Sequence, residues 1–293
     1  MPGQKLNIST IEEARTLVRD RNPAHVKVGV FDVDGVLRGK YIARNKFLSA
    51  LDDGFGFCNA LLGWDVSDTL YDNSVYTGWH SGYPDVMLRI LPESAMILPF
   101  ENETLFFACE FAGPAEAICP RGVLRRVLAR ADEMGFSVRA AMEFEFFMFQ
   151  ETPDTLQSKD FRELRTLSPG SFSYSLLRSM VQEGLYQEIL DTFGAIGIPL
   201  EGLHAETGPG VVETAIAVDE ALAMADKASI FKAFMKVLAQ KRGLMATFMA
   251  KWNETLSGQS GHTHMSLWSR DGAPLFRDPQ ASDGMSQTMR HFL

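Results

Sequence analysis

The sequence runs to 293 residues, 46% of them apolar and 22% charged, the proportions of a folded globular chain with one large or two modest domains. With 28 Lys and Arg against 37 Asp and Glu it carries a net charge of -9, and no run of about five or six basic residues offsets that balance, which argues against a nucleic-acid partner. No stretch of about 18 apolar residues marks a membrane span, and the start, MPGQKLNISTIEEAR, lacks a cationic, apolar leader, so a cytoplasmic protein without a membrane partner is expected.

Thr10 followed by Glu13 has the form of a capping box, and Ile11, Ala14, Leu17 and Val18 recur at helical spacing behind it. Residues 26–31 and 36–42 are strand-like runs joined through Asp34-Gly35, a hairpin signal. Residues 54–84, rich in Gly, Asp, Ser and aromatics without a period, read as a long loop, followed by strands at 86–91 and 104–111. Gly113-Pro114 and Cys119-Pro120 then change the pattern. A domain boundary is placed at 113, giving domains 1–113 and 114–293.

Residues 121–134 set Val123, Leu124, Val127, Leu128, Ala131 and Met134 on one helical face ahead of Gly135. The run 136–149 (FSVRAAMEFEFFMF) alternates as a long strand. Helices follow at 174–194 and 219–242, with strands near 198–206, 211–218, 244–250 and 262–268. The segment 283–293 reads as a helix without a closing signal, so the chain is expected to stop within an element. The fold class is α+β: a small sheet domain, then a larger domain with a mostly antiparallel sheet and helices. Cys58, Cys109 and Cys119 lack paired spacing and read as reduced structural thiols.

Four segments carry chemistry. Val30-Phe31-Asp32-Val33-Asp34-Gly35 resembles the first motif of haloacid-dehalogenase-type phosphatases, with Asp32 as nucleophile and Asp34 as acid/base. That family needs a crossover after the motif, whereas Arg38 to Ile42 continues as a strand, and no later Lys and Asp pair supplies a Mg²⁺ site. In the strand 136–149, period two places Glu143 and Glu145 on one face, roughly 6–7 Å apart, opposite Met142, Phe144 and Phe146. Two carboxylates facing one space in an apolar strand call for a cation between them.

Glu206-Thr-Gly-Pro-Gly-Val-Val-Glu213 reads as two strands folded about Pro209-Gly210, which makes Glu206 and Glu213 direct cross-strand partners with Cβ atoms about 5 Å apart. Gly258-Gln-Ser-Gly-His262-Thr-His264-Met-Ser266 is a glycine-rich loop followed by two imidazoles on one side of a strand. Carboxylates with one or two imidazoles and no thiolate suit Mg²⁺ or Mn²⁺ better than zinc, and paired ions of that kind clamp phosphates. The residues alone therefore describe a metal-dependent, phosphoryl-handling enzyme.

In their order and gaps, Asp32-x-x-Gly35, Pro120-Arg121, Glu143-x-Glu145, Glu206 with Gly-Pro-Gly and Glu213, Lys251, and Gly258 through His262, His264 and Ser266 resemble the glutamine synthetase family over essentially the whole chain. The resemblance implies a small N-terminal β-grasp domain before the catalytic domain, and an ATP-dependent ligase joining the glutamate γ-carboxylate to ammonia or an amine through γ-glutamyl phosphate. It implies that Glu145, Glu206 and Glu213 hold one Mg²⁺ or Mn²⁺, and that Glu143 and His262 hold a second at the ATP phosphates. Gly258 and His262 would meet glutamate, while Glu201, His264 and Ser266 would contact ATP. Asp32 would reach a neighbouring subunit's site to bind and deprotonate the nitrogen nucleophile, in a ring-shaped homo-oligomer with sites between subunits.

Two departures, Val211 where many members carry glutamine and Ser257 where ammonia-using members carry asparagine, resemble the branch that couples glutamate to amines such as polyamines. The family's ATP-gripping arginines, third ligand of the second metal and flap glutamate would lie beyond Leu293. A catalytically incomplete relative with a metal-binding or structural role is therefore the alternative to a working ligase.

Overall fold

The computed structural model describes residues 6–293; the first five residues of the segment read for a leader lie outside it. In chain order the elements are α1 (Ile11–Arg21), β1 (His25–Phe31), β2 (Leu37–Ala43), α2 (Arg44–Asp53), β3 (Phe55–Cys58), β4 (Asp85–Ile90), β5 (Met96–Leu98), β6 (Thr104–Phe111), α3 (Pro120–Glu133) and β7 (Phe136–Phe149). They continue with α4 (Pro153–Ser158), α5 (Leu176–Val181), α6 (Glu183–Ala195), β8 (Leu200–Ala205), β9 (Val211–Glu220), α7 (Ala221–Lys241), β10 (Met245–Thr247), β11 (Gly261–Ser269) and α8 (Gln287–Phe292). None of the helices is long and apolar enough to cross a membrane among the described residues.

Contacts divide the chain within α3, into one unit up to Val127 with Ala195–Gly197 and a second of Leu128–Gly194 with Ile198–Leu293. Gly113, the expected boundary, opens a short 3-10 turn, Gly113–Ala117, after β6.

The first unit is a six-stranded sheet in the order β2-β1-β6-β4-β3, with β5 also on β6. Among the described residues only β1 and β6 run parallel; the other pairs are antiparallel. The capping box forms as the sequence requires: Glu13 N–H donates to Thr10 Oγ1, and the Glu13 carboxylate accepts from Thr10 N–H. Alternation sends Val26, Val28 and Val30 of β1 into a core with Ala14 and Val18 of α1 and Phe47, Ala50 and Leu51 of α2, where Phe47 meets Phe107 at 4.7 Å between ring centroids.

The β1–β2 hairpin closes through Gly35 at φ 74, with Gly35 N–H donating to Asp32 O and Asp32 N–H to Val36 O. The second strand after Asp32 is thus present, and the crossover a haloacid-dehalogenase phosphatase needs is not. The expected loop 54–84 contains a strand, β3, because Phe55 is buried and the short run gains its ladder from β4, a pairing that no local period reveals.

In the second unit all strand pairs are antiparallel, in the order β10-β7-β9-β8, with β11 also on β7. β7, the 14-residue strand, is its spine: β9 lies along one edge, while β11 and β10 share the other. Phe144 and Phe146 pack under the sheet against Phe231 of α7 and Phe248, and Phe231 also meets Phe193 of α6 at 4.5 Å. The opposite face of β7 is divided: Phe147 and Phe149 are buried in a second apolar cluster with Val211 and Trp252, while Glu143 and Glu145 occupy its partly exposed stretch.

The apolar stripe read on 121–134 is not a packing face in this chain, since Val123, Val127 and Met134 are exposed. The start of α3 is anchored by charge instead: Arg121 and Arg125 both donate to the buried Glu110 carboxylate, and Arg125 also to Glu116.

Candidate functional site

Backbone pairing decides which side chains meet. Across the second sheet Glu145 of β7 stands opposite Glu213 of β9, which stands opposite His204 of β8. One step along the same face, Glu143 stands opposite His262 of β11, and His264 follows opposite Ala141. Directly opposed residues share a face, so four strands present three carboxylates and three imidazoles to one space, and Glu206 joins them from the end of the hairpin.

The register corrects one expectation. Glu206 N–H donates to Val211 O at 3.0 Å, and the partner of Glu213 is His204, so Glu206 and Glu213 are not directly opposed. Gly208 at φ 122 and Gly210 at φ 72 widen the turn to 207–210. A shift of two residues keeps the same face, so the two carboxylates still converge.

Atoms able to ligate a metal form two triads sharing one carboxylate: Glu143, Glu213 and His262, and His204, Glu206 and Glu213, each set within 4.8 Å. Glu143 Oε2 lies 3.0 Å from His262 Nδ1 and 3.3 Å from His264 Nε2. Glu145 Oε2 accepts from Ser260 N–H at 2.9 Å. Glu206 Oε1 accepts from the N–H and hydroxyl of Thr207, both at 2.7 Å, while its Oε2 is buried without a hydrogen-bond partner.

Burial pushes the Glu213 carboxyl above its usual range; His204 opposes this, and Glu145, Glu143 and Glu206 add to it. At Glu206 burial acts in the same direction but is outweighed by hydrogen bonds from Thr207 and Ser173 and by His204, which hold its carboxyl below the usual range. A crowded carboxylate and a buried orphaned oxygen both fit a divalent cation: the donor set, oxygen-rich with imidazole at its edge, suits Mg²⁺ or Mn²⁺.

Around this centre Gly258 packs against the chain, where an added Cβ would lie 2.8 Å from Ala250 O. Gln259 N–H donates to Ala250 O and its side-chain amide to Met249 O, closing the base of the loop before β11. Gly261 is tighter still, a Cβ there falling 2.5 Å from Glu143 O. Gly261→Ala is therefore expected to destabilise by about 1–3 kcal/mol, read as a lower thermal midpoint, because the clash falls on backbone beside a site carboxylate.

Ser266, opposite Arg139, accepts from Trp268 Nε1–H at 2.9 Å, and Glu201 is exposed where the β8–β9 register shifts. Asp32 belongs to the other unit and is fully buried: Oδ1 accepts from Asp34 and Val36 N–H, and Oδ2 from Arg38 Nε–H at 2.8 Å. His204 went unread in the sequence, although it sits two residues before Glu206 and so shares its face by strand period.

The family model described as glutamine synthetase, catalytic domain, matches residues 117–293. The chain is 41% identical to type-1 glutamine synthetase 2 of Dictyostelium discoideum over 92% of its own length and 52% of that protein. It is 34% identical to the glutamate–isopropylamine ligase of a Pseudomonas species over 98% of its length and 63% of the relative. Against a gamma-glutamylethanolamide synthetase of Streptomyces coelicolor the identity is 32% over 100% of the chain and 65% of the relative. A solved structure of GmaS without ligand superposes with a TM-score of 0.78 at 26% identity, covering 95% of this chain and 62% of that one. The chain thus spans 52 to 65% of the length of these three relatives.

Proposed function

Because the chain belongs to the glutamine synthetase family, we propose that it is part of an ATP-dependent ligase that joins the γ-carboxylate of glutamate to an amine through γ-glutamyl phosphate. The observation that carries this reading is the convergence of Glu143, Glu145, Glu206 and Glu213 with His262 on one sheet face, with an unpartnered buried oxygen on Glu206. Glu145, Glu206 and Glu213 would hold one Mg²⁺ or Mn²⁺, and Glu143 with His262 a second. Bound there, the ions neutralise phosphate charge and make phosphate a workable leaving group.

The chain's own residues do the rest. The ladder fixes the carboxylates before substrate arrives, so little reorganisation is needed. The loop at Gly258 brings backbone up to the glutamate position, and His264, Ser266 and Glu201 line the approach of ATP. An amine rather than ammonia is favoured by Val211 and Ser257 and by the two amine-ligase relatives. The same reading has the protein act in the cytoplasm as a ring of identical subunits, with Asp32 of one subunit serving its neighbour's site.

ADP release with Mn²⁺, ATP, glutamate and a panel of ammonia, ethanolamine, isopropylamine and polyamines tests this. Amine-dependent ADP supports the ligase, and release independent of any amine or ammonia would sink it. Metal binding without turnover would favour a second reading, a metal-binding member without catalysis. Glu145→Ala should weaken Mn²⁺ binding by about tenfold; unchanged affinity by calorimetry would remove Glu145 from the metal site.

A further inference from the structure

We propose that His204 Nε2 is a nitrogen ligand of the cation held by Glu206 and Glu213, and that this imidazole biases the position toward Co²⁺ and Zn²⁺, with Mn²⁺ between, over Mg²⁺. The inference rests on the metal-dependent reading above and deepens it.

The ring is set from both sides. It stacks on Tyr174 with centroids 4.5 Å apart and planes 30° apart, and Tyr174 N–H donates to Ala205 O at 2.7 Å, tying the stacking residue to the strand that carries His204. His204 Nδ1 lies 3.2 Å from the same Ala205 carbonyl. A carbonyl only accepts, so Nδ1 is the donor in this contact, and the tautomer that donates from Nδ1 is the one that leaves the Nε2 lone pair for an ion. A hydrogen bond from one ring nitrogen to a backbone carbonyl is the usual way a metal-binding histidine is oriented.

Nε2 then faces Glu213 Oε2 at 3.6 Å, while Nδ1 stands 3.7 Å from the partnerless Glu206 Oε2. Two lone-pair donors facing one another beyond hydrogen-bond range, with a third beside them, leave room for a cation and a reason for one. His204 is only partly exposed, with 29% of its side chain accessible. Imidazole adds most for ions late in the first transition row, whereas Mg²⁺ keeps oxygen ligands.

The test is calorimetric titration of the 293-residue protein with CoCl₂ and, separately, MgCl₂. It is run in a His262→Asn, His264→Asn background so that no other imidazole of the face contributes. Adding His204→Asn should lower Co²⁺ affinity about tenfold or more and change Mg²⁺ affinity by less than about twofold. The visible absorption of bound Co²⁺ should also lose the intensity and energy of a nitrogen-ligated ion. An equal fall for both metals, no fall for either, or an unchanged Co²⁺ spectrum would overturn the assignment. Glu213→Gln in the same background should abolish binding of both ions at this position. If it binds both as before, the metal reading itself fails, independently of His204. A thermal midpoint within a few degrees of the parent shows that each variant is folded.

Discussion

Phe231→Ala is expected to cost the second unit about 3–5 kcal/mol, the range for removing a fully buried phenyl ring from a core. Phe231 is 0% exposed and is met by four rings, Phe144 stacked at 5.8 Å with planes 7° apart, Phe146, Phe193 and Phe248. Phe144 and Phe146 pack on Phe248 as well as on Phe231, so the space left is filled only by disturbing the layer. Urea unfolding should show a lower midpoint, and Phe231→Leu should recover more than half of the loss. Saturating Mn²⁺ should still add its increment, about 2.7 kcal/mol at a hundred times Kd, because the glutamates are fixed by the backbone ladders of β9 and β11 rather than by the ring. If the increment vanishes with the ring, the aromatic layer positions the carboxylates as well as supporting the sheet.

The second large effect belongs to Glu110 in the first unit. This carboxylate is 2% exposed and accepts from Arg89, Arg121 and Arg125, of which Arg121 is itself nearly buried. Glu110→Ala removes the buried acceptor that three guanidiniums share, leaving Arg125 with Glu116 and Arg121 with a longer 3.8 Å approach to Glu93, and about 3–5 kcal/mol of destabilisation follows. Burial alone would raise the Glu110 carboxyl, but the three arginines outweigh it and hold it below the usual range. A carboxyl depressed on folding contributes stability that is present above its unfolded value, about 4.3, and is lost as pH falls through its folded value. Acid unfolding of the wild type should therefore steepen below about pH 4, and Glu110→Gln should flatten that limb. An unchanged acid limb in the variant would show that Glu110 is not the group responsible.

Much of the molecule was legible because its signals are local. The capping box at Thr10 and Glu13, the hairpin at Asp34-Gly35 and the alternation of β7 each rest on residues adjacent in sequence, and each forms where its spacing required. The face shared by Glu143 and Glu145 followed from period two alone. What was missed depends on partners far away in the chain. β3 exists because β4 lies beside it, and the pairing of Glu213 with His204 was fixed by two glycines that open the turn, which a Pro-Gly pair alone does not announce. The stripe on α3 marked a helix that does form, but periodicity says only that a face is apolar and not what, if anything, covers it.

One edge of β7 is shared by two strands, β11 and β10, and the chain leaves the sheet between them. The departing and returning segments are tied together at their roots by Gln259 bonding to Met249 and Ala250. Residues 251–258 thus hang from a closed ring rather than from the ladder itself. Lengthening such a loop beyond Trp252, whose ring packs on Phe147 and Phe149, carries only the slowly growing entropy of a longer closure, and the strands on either side keep their register. The segment can therefore vary while β7, β9 and β11 keep Glu145 opposite Glu213 and Glu143 opposite His262.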